Sequence, residues 1–131
     1  MGVRFIFGQA YEKGIILAGI SAGANCWLEQ GITDPLNAPL YGLDCLGFLS
    51  GSFCPHYDGE TKRRPAYQRL IHEQKVKSGY GVDDGVAMHF INGALHQIVS
   101  SRPSAKAYSV SFHNGVVVEE AMDTCYLGSK C

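Results

Sequence analysis

The sequence predicts an α/β fold that ends in antiparallel β structure, and three observations carry that prediction. An apolar run of strand type, Gly14 to Ile20, reaches a Gly-x-Ser-x-Gly core and passes directly into a helix-forming segment, Ala22 to Gln30. A second helical segment, Thr61 to Val76, carries Tyr67, Leu70, Ile71 and Gln74 at i, i+3, i+4, i+7, a mostly apolar stripe. Two Asn-Gly dipeptides, Asn92-Gly93 and Asn114-Gly115, each lie between strand-type runs, the strongest short-range hairpin signal.

Taken in order, Phe5-Ile6-Phe7 is a brief apolar patch, and Gln9 to Lys13 reads as the last turn of a helix stopped by Gly14. The helix after the Ser21 turn gives way to a Pro- and Asn-rich loop, Gly31 to Tyr41, and then to a short apolar segment, Leu43 to Leu49. Gly51 to Glu60 reads as a strand end followed by a turn. Pro55 removes a ladder donor and keeps Cys54 extended, so His56 is presented at a strand terminus. In the next helix Thr61 is the expected N-cap and Pro65 fits only the first turn. Arg63, Arg64, Arg69, His72 and Lys75 read as its solvated face. Beyond Gly79 the pattern is strands: Tyr80 to Val82, an Asp83-Asp84-Gly85 turn, Val86 to Ile91 with Ala94 to Ser100, and Ala107 to His113 with Val116 to Glu120. Asp123 to Cys131 carries no readable structure.

Composition narrows the function classes. With 131 residues, 46% hydrophobic and 18% charged, the chain reads as one ordinary globular domain. A net charge of −1 gives no footprint for nucleic acid or an anionic membrane. No apolar run reaches transmembrane length, and the N-terminus lacks the make-up of a signal peptide. The five cysteines are odd in number and form no C-x-x-C pair, so reduced thiols in a cytoplasmic protein are expected, with no structural zinc and no cofactor.

The chemistry centres on Ser21. Small residues at Gly19 and Gly23 let strand and helix pack closely around a sharp turn, which pushes the Ser21 hydroxyl outward. The Ala22 N–H then stands where it can stabilise an oxyanion. A serine nucleophile needs a base, most often a histidine oriented by a carboxylate. His72 and His113 read as surface residues. His89 and His96 fall directly cross-strand if the Asn92-Gly93 turn has two residues, but no Cys, Asp or Glu completes a tetrahedral metal set. His56, at a strand end among Cys54, Pro55 and Gly59, is the favoured base. Asp84 is the attractive orienting acid, although Asp and Gly suit any turn. Asp34 is its rival. Asp58 is too near His56 in the chain to reach its ring favourably, and Glu60 suits the start of the following helix.

Gly-Ile-Ser21-Ala-Gly-Ala-Asn, then Cys-Pro-His56-Tyr-Asp-Gly-Glu-Thr, then Asp-Asp84-Gly, in that order, resemble the peptidase E (aspartyl dipeptidase) family of serine peptidases. These are relatives of cyanophycinases within the class I glutamine amidotransferase-like fold, and the likeness runs from about Ala10 to Met122. The resemblance implies a three-layer α/β sandwich with a flavodoxin-like sheet, Ser21 as nucleophile and His56 as general base. Asp84 falls where the family usually has a Glu before Gly, one methylene longer. Asp34 matches another acidic position and remains the alternative acid. The implied substrate is a small peptide, with N-terminal Asp favoured, and Lys62, Arg63 or Arg64 could meet its carboxylate. Surface arginines at a helix start also have an ordinary solvation explanation.

Length departs from the resemblance. Family members are longer, with several βα units before the nucleophile strand, whereas only Met1 to Lys13 precede Gly14. The glycine-rich loop that would supply a second oxyanion donor has no counterpart there, and losing one such donor costs on the order of 100- to 1000-fold in rate. The expectation is the C-terminal part of a peptidase E-like enzyme, weakly active, inactive or homo-oligomeric by itself. Its rivals are an inactive remnant that works through assembly and a cyanophycinase-like hydrolase or esterase.

Overall fold

The β structure is built on two parallel pairings at its centre. A computed structural model describes residues 2–35 and 38–131. Strand β1 (Leu28–Thr33) runs parallel to β3 (Leu49–Cys54), which runs parallel to β4 (Gly79–Val82). Antiparallel strands complete the sheet on both sides: β2 (Tyr41–Asp44) on β1, then β7 (Ala107–His113) on β4 and β8 (Val116–Ala121) on β7. The order is β2-β1-β3-β4-β7-β8. A smaller sheet holds β5 (Val86–Ile91), β6 (Ala94–Ser100) and β9 (Cys125–Tyr126). The fold is therefore α/β with mixed sheets and few helices, consistent with an α/β sandwich.

The period-2 geometry of strands divides the core in two. Cys54 joins Ile32, Tyr57, Tyr67, Leu70, Ile71, Val76 and Val110, a cluster built with helix α3 (Arg63–His72). Its neighbour Phe53 joins Leu28, Val82, Ile98 and Ala107, with the β5–β6 hairpin and Trp27 packed alongside. Consecutive residues of β3 thus serve opposite sides of the large sheet, with α3 on one and the small sheet on the other. Both Asn-Gly turns have the two left-handed residues that two-residue hairpins need: Asn92 and Gly93 at φ 51° and 78°, Asn114 and Gly115 at 49° and 82°.

Several expectations are corrected. The helix predicted over Ala22 to Gln30 is only α2 (Ala22–Asn25); from Leu28 the chain is strand β1, because pairing with β2 and β3 and burial of Leu28 and Ile32 in the two core clusters outweigh a weak helix preference. The loop predicted from Gly31 accordingly starts later, and its Leu36 and Asn37 lie outside the described residues. The segment Leu43 to Leu49 is the end of β2, a connection and the start of β3. Helix α3 is shorter than Thr61 to Val76, and its N-cap is Lys62 rather than Thr61, without a side-chain cap; Pro65 does sit in its first turn. The helix recognised only as Gln9 to Lys13 extends back to Val3, forming α1 (Val3–Glu12), and Gly14 stops it at φ 77°.

The predicted strand Gly14 to Ile20 pairs with no strand among the described residues. A strand forms only where a neighbour takes up its N–H and C=O groups. Ile16 and Ile20 are 89% and 88% exposed, and α1 buries none of its side chains. The tail is not featureless: Cys125 and Cys131 form a disulfide, which corrects the expectation of five reduced thiols, and β9 adds to β6. Cys26, Cys45 and Cys54 are free. No helix among the described residues is long and apolar enough to cross a membrane.

Candidate active site

Ser21 occupies a strained turn. Its φ of 54° and ψ of −116° lie outside the ordinary regions for a residue with a side chain, as expected where a hydroxyl is thrust out of a tight bend. Gly19 makes the bend closable, because a Cβ there would overlap the Gly23 carbonyl. The amides of Gly23, Ala24 and Asn25 are taken up by Ile20 O and Ser21 O. The Ala22 N–H has no acceptor among the described residues and stands next to the serine. Since α2 is a single turn, that peptide group, rather than a helix dipole, carries any oxyanion role. Behind the bend, Asn25 donates to Ile32 O at 3.0 Å, and Gly31 leaves room for its side chain, so β1 anchors the elbow from below.

His56 and Asp84 come from the C-terminal ends of adjacent parallel strands. The chain leaves β3 at Cys54 and β4 at Val82, and the Tyr57 N–H donates to Val82 O at 3.1 Å, tying the two exits together. His56 adopts φ 57°, a left-handed conformation that turns its side chain away from the strand path. Asp84 belongs to a tight turn closed by Val86 N–H on Asp83 O, with Gly85 at φ 80°.

The three side chains form one relay. Ser21 Oγ lies 2.8 Å from His56 Nε2, and His56 Nδ1 lies 2.6 Å from Asp84 Oδ1. A carboxylate on Nδ1 makes that nitrogen the donor in a neutral imidazole, which leaves Nε2 to accept the serine proton. The His56 and Asp84 side chains remain 34% and 47% exposed, so the relay opens to solvent.

The other candidates are engaged elsewhere. Asp34, the alternative acid, accepts from Arg63 Nη2 at 3.1 Å. Arg63 was expected on a solvated helix face, but it is 3% exposed and also donates Nε to Glu60 Oε2 at 2.8 Å. Two carboxylates and burial at the start of α3 make it an internal strut. Beside it, burial pushes the Cys54 thiol up to about 12 against the lowering effect of Arg63, so this thiol stays protonated. Arg64 pairs with Glu119 and stacks over the Tyr57 and Tyr108 rings, at 5.3 and 4.6 Å from their centroids. His72 and His113 are exposed. His89 and His96 do meet, at 5.2 Å between rings, but His89 pairs with Gln97 because the ladder slips by one at Phe90. Among the described residues no group of three or more His, Cys, Asp or Glu could hold a metal.

Three side chains around the relay have partners that a sequence reading misses. Asp58, too near His56 to orient its ring, accepts the Asp84 N–H instead. Arg102 donates to Asp58 Oδ2 and Asp84 O. Glu119 accepts from Tyr57 Oη, Arg64 and Gln68. Each contact spans 18 to 62 positions of sequence, and no local pattern announces it.

Residues 1–98 match the family model described as Peptidase family S51. The chain belongs to peptidase family S51. All three relay residues lie in the matched stretch. This S51 chain is 53% identical over 127 residues to "Uncharacterized peptidase YgaJ" of Bacillus subtilis (strain 168). That alignment takes in 97% of this chain and 55% of the relative, so this S51 chain spans about half the length of the curated relative it matches.

Proposed function

We propose that this chain carries the nucleophile, base and acid of a serine-type amide hydrolase acting on small peptides. Membership of a peptidase family supports hydrolysis, and the observation that carries serine chemistry is the continuous Ser21–His56–Asp84 contact. Ser21 Oγ attacks the scissile carbonyl while His56 Nε2 takes the hydroxyl proton. Asp84 holds the ring and stabilises the imidazolium. The Ala22 N–H faces the oxyanion that forms. His56 then returns the proton to the leaving amine, the C–N bond breaks, and water repeats the cycle on the acyl-serine. Dipeptides with N-terminal Asp are the narrower proposal, resting on the motif resemblance. Arg63 and Arg64, each already paired with carboxylate, give it little support.

A second reading has its own observation. The unpaired, apolar Gly14–Ile20 segment favours a chain that is inactive alone and works through self-association. Fluorophosphonate labelling separates the two. Modification of Ser21 that is lost in Ser21→Ala supports the hydrolase; an unmodified, oligomeric chain supports the alternative. Once labelling is seen, Asp-X dipeptides, simple esters and branched Asp-Arg polymers compared as substrates distinguish peptidase, esterase and cyanophycinase-like activity.

A further inference from the structure

Asp84, whose carboxylate faces His56, is itself held from three directions, two at its main chain and one at its side chain. Asp58 Oδ1 accepts the Asp84 N–H at 2.8 Å, fixing the backbone of the residue in the plane of the turn. Arg102 Nη1 spans two acceptors, Asp58 Oδ2 at 2.7 Å and Asp84 O at 2.9 Å. On the third side, the Asp84 carboxylate leans against Gly59, where any Cβ would overlap Oδ2. Arg102 is in turn fixed at the end of β6: its N–H donates to Ser100 Oγ at 3.0 Å, and Ser100 Oγ donates to Arg102 O at 2.7 Å. The adjoining Ser101 N–H donates to Gly85 O at 2.9 Å.

We propose that Asp58 and Arg102 are positioning residues that set the reach of Asp84 to His56, so that the loop after β6 completes a site built otherwise from the ends of β3 and β4. The inference rests on the relay reading above. An Asp at this place is one methylene shorter than Glu, so its carboxylate meets the ring at 2.6 Å only if its backbone is carried close. The Asp58 carboxylate and the Arg102 guanidinium do this by contacting the main-chain N–H and C=O of Asp84, which locates its Cα and leaves its carboxylate to the ring. Gly59 is the matching concession on the opposite wall, where a side chain would push the acid back. Burial alone would raise the Asp58 carboxyl, yet the Asp84 amide and the Arg102 guanidinium together hold it below the usual carboxylate range, which keeps it ionised as the pivot of the clamp. Arg102 touches neither Ser21 nor His56, so its action is through Asp84.

The test uses the full chain with two readouts: the rate of Ser21 phosphonylation by a fluorophosphonate, and the NMR resonance of the His56 Nδ1-bound proton. Arg102→Ala is expected to slow phosphonylation about 10- to 100-fold and to move the proton resonance toward its position in Asp84→Asn. The thermal midpoint should change little, because the Arg102 side chain is about half exposed. Arg102→Lys, which keeps the cation, should recover most of the rate, and Asp58→Asn should fall between them. Unchanged rate and resonance in Arg102→Ala would overturn the proposal, as would absence of the resonance from the wild-type chain, since the contact to be positioned would not exist. If wild-type Ser21 never labels, the hydrolase reading fails; a resonance that still moves in Arg102→Ala sustains the clamp by itself.

Discussion

The relay joins two regions of very different construction. His56 and Asp84 stand on the ends of β3 and β4, with Cys54, Tyr57 and Val82 beside them buried in the core. Ser21 is delivered by α1 and Gly14 to Ile20, where no helix residue is buried and the isoleucines face outward. The main anchors of that segment are Phe7 against Trp27, at 5.1 Å between rings, and the Asn25 contact to β1. One half of the site is thus fixed by the folding of the sheet. The other is fixed locally, by the shape of its own turn.

The largest effects should come from breaking the relay at each end. Ser21→Ala should remove labelling entirely, and Asp84→Asn should slow it by about 10,000-fold, since the amide favours the wrong imidazole tautomer. Both should leave thermal stability close to that of the parent chain, because neither residue fills the core. Gly19→Ala should also suppress labelling while leaving the sheet folded, as a Cβ overlapping the Gly23 carbonyl opens only the elbow. Loss of the cooperative thermal transition in Gly19→Ala would show that the elbow and the sheet are one unit after all.

The same contrast explains what could be read from the sequence. Ser21, His56 and Asp84 could be singled out as candidates because each sits in a short local pattern, a Gly-bounded bend, a Pro-His strand end and an Asp-Gly turn, and because the three motifs in that order resemble one family. The Asn92-Gly93 and Asn114-Gly115 hairpins were legible for the first of these reasons. Strand pairing was not: Gly14 to Ile20 is an apolar run of strand type with no partner among the described residues, while Leu28 to Gln30 reads as helix and Gly31 to Thr33 as loop, yet together they form an inner strand of the sheet. A strand is a property of its neighbours, and the sequence of one strand does not name them. Arg63 failed in the same way, since its burial depends on Asp34, far back in the chain. The ladder slip that moves His89 onto Gln97 likewise has no local signal.

On the core side, Tyr67→Ala should cost about 3–5 kcal/mol, because the ring is fully buried and its hydroxyl is hydrogen-bonded to Ser52 Oγ at 2.7 Å. Urea unfolding measures this directly. A change below about 1 kcal/mol would mean that the cluster under α3 is looser than its burial indicates.

A smaller effect should appear in acid. Burial would raise the Glu119 carboxyl, but Arg64, Tyr57 and Gln68 outweigh it and hold the group below its ordinary value. A carboxyl lowered in the folded state adds stability above its unfolded pKa, about 4.3, and loses it as pH falls through the folded value. Thermal midpoints should therefore decline from pH 5 to pH 3. Glu119→Gln should be less stable by about 1–2 kcal/mol at pH 6 and should decline less steeply. Asp83 provides the opposite sign. Burial raises its carboxyl, so its ionisation costs stability as pH rises through its folded value, and Asp83→Asn should steepen the acid decline rather than flatten it.

The smallest effect should come from the most apolar surface. Ile16→Ser and Ile20→Ser alter residues that bury almost nothing, so each should change unfolding free energy by less than about 0.5 kcal/mol. Ile32→Ala or Ile71→Ala, deep in the cluster under α3, should cost about 2–5 kcal/mol. Exposed isoleucines retain the full driving force for burial, so what these serines should change is association. If the chain self-associates through Gly14 to Ile20, the double variant Ile16→Ser/Ile20→Ser should shift sedimentation toward monomer at equal concentration. Should Ile16→Ser instead destabilise the chain as much as Ile32→Ala, the segment that delivers Ser21 would be part of the core, and the division between the two halves of the site would fall.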